Sequence, residues 1–273
     1  MNRVILLIVT MLLSYNTMAQ TRQELENIIA AINAQLPLSL GPSGEIQAMT
    51  LSGNTMNWDI AVNDFGKSVG SSHFTPEAYR DMFLTLMPAS FIFAPETAGF
   101  MQKLTELNIG LRLNATSEVS GKSVTVNISV GDLANMLNNE PDFKKVVRYQ
   151  IENMKASFPM QANNMTFTNC ELKNGYMVTT IIVDEAYNSM DLLEQNKDFT
   201  KQQMVQMVNQ QVDLTFNINL FYCCMAEYGF AYDYVGSTSK KRVRIGFTPE
   251  EIVMLLAPED DGEVIEEIEY IEE

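Results

Sequence analysis

A stretch of 28 residues occurs twice in this chain, and any fold the chain adopts has to accommodate both copies. Laid over one another without a gap, residues 110–137 read GLRLNATSEVSGKSVTVNISVGDLANML and residues 229–256 read GFAYDYVGSTSKKRVRIGFTPEEIVMLL. Five positions are identical, too few to carry a repeat. The apolar pattern carries it. Leu111 and Leu113 fall on Phe230 and Tyr232, and Val124, Val126 and Ile128 on Val243, Ile245 and Phe247. Both runs alternate apolar and polar residues, as half-buried strands do, and then switch to helical spacing at Leu133, Met136 and Leu137 or Ile252, Leu255 and Leu256.

The flanks extend the repeat. In the first copy Leu25, Ile28, Ile29 and Ile32 lie at helical spacing after a Thr21-x-x-Glu24 capping box, and the helix ends near Leu36-Pro37. A Gly41-Pro42-Ser43-Gly44 loop leads to a hairpin turned at Gly53-Asn54, with Met56, Trp58, Ile60 and Val62 inward. Thr75-Pro76 opens a helix, and another spans about 95–107. In the second copy Val147, Ile151 and Met154 form the stripe of a helix ending at Phe158-Pro159. There Met165-Thr166-Phe167 is set on Met49-Thr50-Leu51, strand 176–183 on 56–62, and Phe199-Thr200 on Phe74-Thr75, with Thr200-x-x-Gln203 read as a second capping box. The expected fold class is therefore α+β: two similar repeated domains, 20–138 and 139–257, each with antiparallel hairpins packed against helices.

The ends stand apart. Arg3, the apolar run 4–13 and Thr17-Met18-Ala19 have the form of a secretory signal peptide over 1–19. No later run reaches the ~20 apolar residues of a membrane span. Residues 258–273 hold nine acids and no base, an acidic C-terminal tail. The chain as a whole carries a net charge of −16. Such a chain repels phosphate backbones, so nucleic acid is not an expected partner.

Leu36-Pro37 and Phe158-Pro159, together with the glycine-led runs at Gly110 and Gly229, resemble a kind of small exported bacterial domain of unassigned function. The resemblance implies an α+β fold and an exported, periplasmic or extracellular, address. It implies no chemistry.

Candidate catalytic residues are few. Gly66-Lys67-Ser68-Val69-Gly70 matches the G-x-S-x-G of a nucleophile elbow, but a loop intervenes before the helix at Thr75, where the elbow needs an immediate strand–serine–helix turn. His73 is the single histidine, too little for a histidine-rich metal site and misplaced for the triad. No metal or other cofactor is expected. Cys170, Cys223 and Cys224 leave two readings open: a disulfide from Cys170 to Cys223 or Cys224, or three small buried residues.

Two surfaces invite a partner. The outward positions of strand 176–183, namely Tyr176, Val178 and Ile182, are apolar where the first copy has Asn57, Asp59 and Ala61. Cover by the chain itself is favoured over cover by a partner. Lys240, Lys241, Arg242 and Arg244 form one basic cluster, onto which the acidic tail could dock or past which it could extend into water. The functional expectation is an exported, non-catalytic binding or assembly module for a protein or envelope component. An envelope-polymer hydrolase with a carboxylate pair and an apolar-ligand carrier are the alternatives.

Overall fold

The computed structural model describes residues 22–39, 45–62, 75–117, 121–210 and 214–257. The signal-peptide segment, the Thr21 cap, the Gly41–Gly44 loop, the Gly66–Gly70 motif, His73 and the acidic tail lie outside them.

The first unit runs α1 (Arg22–Asn33), β1 (Leu38–Ser39), β2 (Glu45–Ser52), β3 (Thr55–Val62), α2 (Pro76–Ser90), α3 (Pro95–Glu106), β4 (Gly110–Ser117), β5 (Ser123–Ile128) and α4 (Val130–Asn138). The second runs α5 (Phe143–Ala156), β6 (Met160–Ala162), β7 (Met165–Lys173), β8 (Tyr176–Val183), α6 (Met190–Gln195), α7 (Lys197–Asn209), α8 (Leu214–Met225), β9 (Gly229–Gly236), β10 (Arg242–Phe247) and α9 (Pro249–Leu256). Each unit holds one five-stranded sheet, ordered β1-β2-β3-β4-β5 and, from the other edge, β10-β9-β8-β7-β6. The fold is α+β, with two similar sheet–helix units.

Both expected hairpins form in each sheet, and they meet in a way the sequence pattern did not show. β3 pairs β4, and β8 pairs β9, in parallel. A parallel pair needs a crossover, which α2 and α3 supply in the first unit and α6, α7 and α8 in the second. The registers coincide: Thr55 faces Gly110 as Tyr176 faces Gly229, and Val62 faces Ser117 as Val183 faces Gly236. The bulge between Ile46 and Ala48 recurs between Phe167 and Asn169. Cis peptides precede Pro37 and Pro159. Asn108 and Glu227, each just before β4 or β9, both have positive φ. Capping boxes start α4 at Ser129–Asp132 and α9 at Thr248–Glu251.

Three details of the repeat are corrected. Met49 pairs Trp58 whereas Met165 pairs Val183, so the residue matching Met49 is Cys170, which pairs Thr179. The pairing register, which fixes which strand face each residue joins, overrides the likeness of the two tripeptides. Thr200 is not a cap. It lies inside α7 and its hydroxyl donates to the Asn196 carbonyl at 3.2 Å, as mid-helix threonines do. Asn196, not Thr200, therefore matches Thr75 as the residue that precedes its helix.

The helices bury one face of each sheet. Met56, Trp58, Ile60 and Val62 of β3 meet Leu25 and Ile29 of α1 and Leu104 of α3 in the first core. Met177, Ile181, Phe230, Tyr234 and Ile245 meet Val147, Ile151, Leu220, Cys223 and Ile252 in the second. Salt bridges tie the covering helices at matching places: Arg80 to Asp132 at 2.7 Å, and Lys201 to Glu251 at 2.7 Å.

The units are joined where α2 meets α5. Asp81 accepts from Lys145 and from the Tyr149 hydroxyl, both at 2.5 Å. Phe93, in the connection after α2, places its ring edge-on to Phe221 and Tyr222, with centroids 5.0 and 5.9 Å away. A residue of the first unit thus helps fill the second unit's core.

Candidate functional site

Among the described residues, eight of the nine exposed large apolar side chains belong to the second unit, Ile92 being the exception. Two of the eight, Tyr187 at 72% exposure and Leu192 at 58%, line an open groove of about 450 Å³.

The groove is built by the β8–α6 connection and the β9–β10 turn. Ser189 caps α6 by accepting from the Leu192 N–H at 3.3 Å, which fixes how Asp191 and Leu192 are presented. The Glu185 carboxylate accepts N–H bonds from Ser239 and Thr238, each 2.7 Å, and these hold its pKa below the usual carboxylate range. Across the groove Lys241 contacts Asp191 at 2.5 Å and Glu194 at 2.6 Å, and both bonds raise its pKa. The result is a polar, pre-set floor with two apolar side chains at its edge. Such a floor can orient a partner's backbone or polar groups while the rim supplies apolar contact.

A second groove, about 360 Å³, lies at the joint between the units and is lined by Arg80, Leu84, Pro88, Asp132, Asn135 and Lys145 among others. Most of its charges are spent on the fold. Arg80 serves Asp132, and Lys145 serves Asp81, whose carboxyl these hydrogen bonds from Lys145 and Tyr149 hold low. Methionine dominates neither groove.

Sequence-predicted residues fall as follows. Val178 is 1% exposed within this single chain, and Tyr176 and Ile182 are half-buried. The four basic residues share the last hairpin but do not act as one. Lys241 faces α6, and Arg244 makes a two-pronged bond to Asp233 at 2.6 and 2.8 Å. Arg242 reaches the same carboxylate at 4.0 Å, and Lys240 donates to the Ser237 carbonyl at 2.5 Å. Cys170, Cys223 and Cys224 are free thiols, the first two buried. Burial raises all three, Cys170 to about 11, so none is primed as a nucleophile at neutral pH.

Among the described residues, no group of three or more His, Cys, Asp or Glu could hold a metal ion, and no helix is long and apolar enough to cross a membrane. Among the described residues, the carboxyls that their surroundings shift are shifted down, as at Asp81, Asp132, Asp233 and Glu251. A glycosidase-type general acid needs the opposite shift.

Sequence reasoning missed the groove at Tyr187 and the joint at Asp81, since both bring together residues about fifty or more positions apart. The Asp233–Arg244 pair did leave a signal: the two lie equally far from the Ser237–Lys240 turn, as residues facing across a hairpin must.

No known protein family matches this chain, and no curated protein matches it. A solved structure that aligns with part of it is a "putative secreted protein" from Pseudomonas aeruginosa, at 10% identity, covering 41% of this chain and 93% of the other, with a TM-score of 0.33. That likeness is too slight to carry fold or function across.

Proposed function

We propose that this protein is a non-catalytic binding or assembly module, exported to the bacterial envelope, that holds a protein partner through its second unit. The observation that carries the reading is the concentration of exposed apolar side chains there, with Tyr187 and Leu192 at the edge of a polar groove. The downward-shifted carboxyls and upward-shifted thiols support a binding role over hydrolysis, because these shifted groups are fitted to a structural partner or to burial. Export rests on the signal-like segment 1–19.

The test places a photo-reactive amino acid at Tyr187 or Leu192, and at Arg112 on the first unit's exposed sheet face, in cells that make the full chain. Adducts to the same protein from Tyr187 and Leu192, absent from Arg112, are the expected outcome. Adducts equal at all three positions, or found at Arg112 alone, would show that the groove is not the binding surface.

A further inference from the structure

The segment that builds most of the groove, residues 184–196, has a counterpart of equal length in the first unit. Val62 matches Val183 at the strand end and Thr75 matches Asn196 before the helix, so thirteen residues join the same two points in each copy. Counted from those ends, Gly66, Gly70, Ser71 and His73 stand where the second unit has Tyr187, Asp191, Leu192 and Glu194. The connection by itself therefore calls for no aromatic ring, leucine or carboxylate at these places. The side chains that give the groove its rim and its charge belong to the second unit alone, on a connecting segment of the kind that carries function.

Their charge narrows what the groove can take. Residues 184–196 carry four acids, Asp184, Glu185, Asp191 and Glu194, and no base, whereas residues 63–75 carry one acid, Asp64, and one base, Lys67. Two lysines approach from the β9–β10 turn. Lys241 is shared by Asp191 and Glu194, one cation between two carboxylates. Lys240 donates to the Ser237 carbonyl and acts on Glu185 only through its charge. Glu185 itself is held by two neutral backbone N–H groups, which fix the carboxylate without cancelling its charge. The groove keeps a net negative charge, beside the exposed Tyr187 ring and the exposed Leu192.

Charge separates the occupants. A second copy of the chain would bring −16 to a negative groove, and a phosphate or an anionic surface has the same sign, so each is repelled. A protein segment bearing lysine or arginine is attracted, and its chemistry matches the rim as well. Such a side chain lays its methylene stem on apolar surface, sets its cation over an aromatic ring and donates to carboxylates.

We propose that the groove takes a basic segment of the partner protein, with a lysine or arginine over the Tyr187 ring that donates to Glu185 or Asp191, and an apolar stem or neighbour against Leu192. That partner class rests on the groove being the binding surface, as proposed above.

The test uses the full chain and two fluorescein-labelled peptides, one alternating lysine and leucine, the other glutamate and leucine, read by anisotropy at low salt. The lysine peptide is expected to bind and the glutamate peptide is not. Its affinity should fall roughly fivefold or more in Glu185→Gln/Asp191→Asn, where two exposed charge pairs are lost. Tyr187→Ala should lower it roughly two- to fivefold. The control Glu26→Gln/Glu77→Gln removes the same charge from the first unit and should change it by less than about twofold. Equal losses in groove and control variants would reduce the binding to overall charge. Displacement of the lysine peptide by spermine at matched charge would assign the groove to small polyamines, and binding of the glutamate peptide would reverse the sign. Each of these results would overturn the proposal. In cells, adducts from the photo-reactive residue at Tyr187 should weaken in Glu185→Gln/Asp191→Asn. Undiminished adducts would overturn the basic segment alone, whereas failure of the groove itself shows in the comparison with Arg112. Far-UV dichroism confirms that each variant is folded.

Discussion

Replacing Phe93 with alanine should loosen the second unit although Phe93 belongs to the first. Its ring packs edge-on against Phe221 at 5.0 Å and Tyr222 at 5.9 Å, beside Phe143 of α5. A fully buried Phe→Ala change costs about 3–5 kcal/mol. Phe93 is half-buried, so about 2–3 kcal/mol is expected here, the two ring pairs included. With a urea m-value near 2 kcal/mol/M, the midpoint should fall by about 1 M.

The protein carries its own reporter for where the loss is felt. Trp58 is the single tryptophan, 8% exposed, packed against Phe83 in the first core. Its fluorescence follows the first unit, while far-UV dichroism follows both. In the unsubstituted chain the two curves should coincide, because the joint couples the units. In Phe93→Ala the dichroism curve should move first, leaving Trp58 to unfold later. Coincident curves with a midpoint shift under about 0.2 M would refute the reasoning, for the ring would then hold nothing together.

Three further outcomes follow from single residues. Gly229→Ala should cost about 1–3 kcal/mol, because its Cβ would lie 2.3 Å from the Tyr176 ring and 2.9 Å from the Phe247 carbonyl; the matching Gly110→Ala, at 3.1 Å from the Ile128 carbonyl, should cost less, and thermal melts of the two variants compare them. Asp233→Asn should lower stability at pH 7 by about 1 kcal/mol, discounted for the exposure of Arg244. The hydrogen bond from Arg244 depresses the folded pKa of Asp233, so its contribution is present above the unfolded carboxyl value and fades as pH falls through the folded one. Urea curves of variant and parent should therefore converge in strong acid, and a gap that persists there would show that charge is not the cause. A thiol reagent applied to the native protein should react with Cys224 alone and with all three cysteines after unfolding; two modified thiols in the native state would mean that Cys170 or Cys223 is not sealed in the core.

The repeat was legible because alternation and helix-cap chemistry are local. Met56 to Val62 declared their inward face, and Thr75-Pro76 declared its helix start, without reference to anything distant. Register was not legible. Met165-Thr166-Phe167 resembles Met49-Thr50-Leu51 in composition, and only its pairing to Val183, rather than to Thr179 at the place of Trp58, shows the mismatch. Thr200 failed as a cap for a related reason: the spacing from threonine to Gln203 is local, but α7 already begins at Lys197, so Thr200 falls inside it. The parallel join of the hairpins and the Tyr187 groove depend on how long crossovers return to the sheet, which no short window of sequence encodes.

The claim on which the rest stands is that one unit, written twice, builds two sheets of the same order and register. Amide and Hα contacts measured by NMR across the central strand pairs test it most directly. The account predicts parallel contacts that place Thr55 beside Gly110 and Val62 beside Ser117, and the same pattern placing Tyr176 beside Gly229 and Val183 beside Gly236. An antiparallel pattern in either pair, or a register offset by one residue in one unit and not the other, would contradict it.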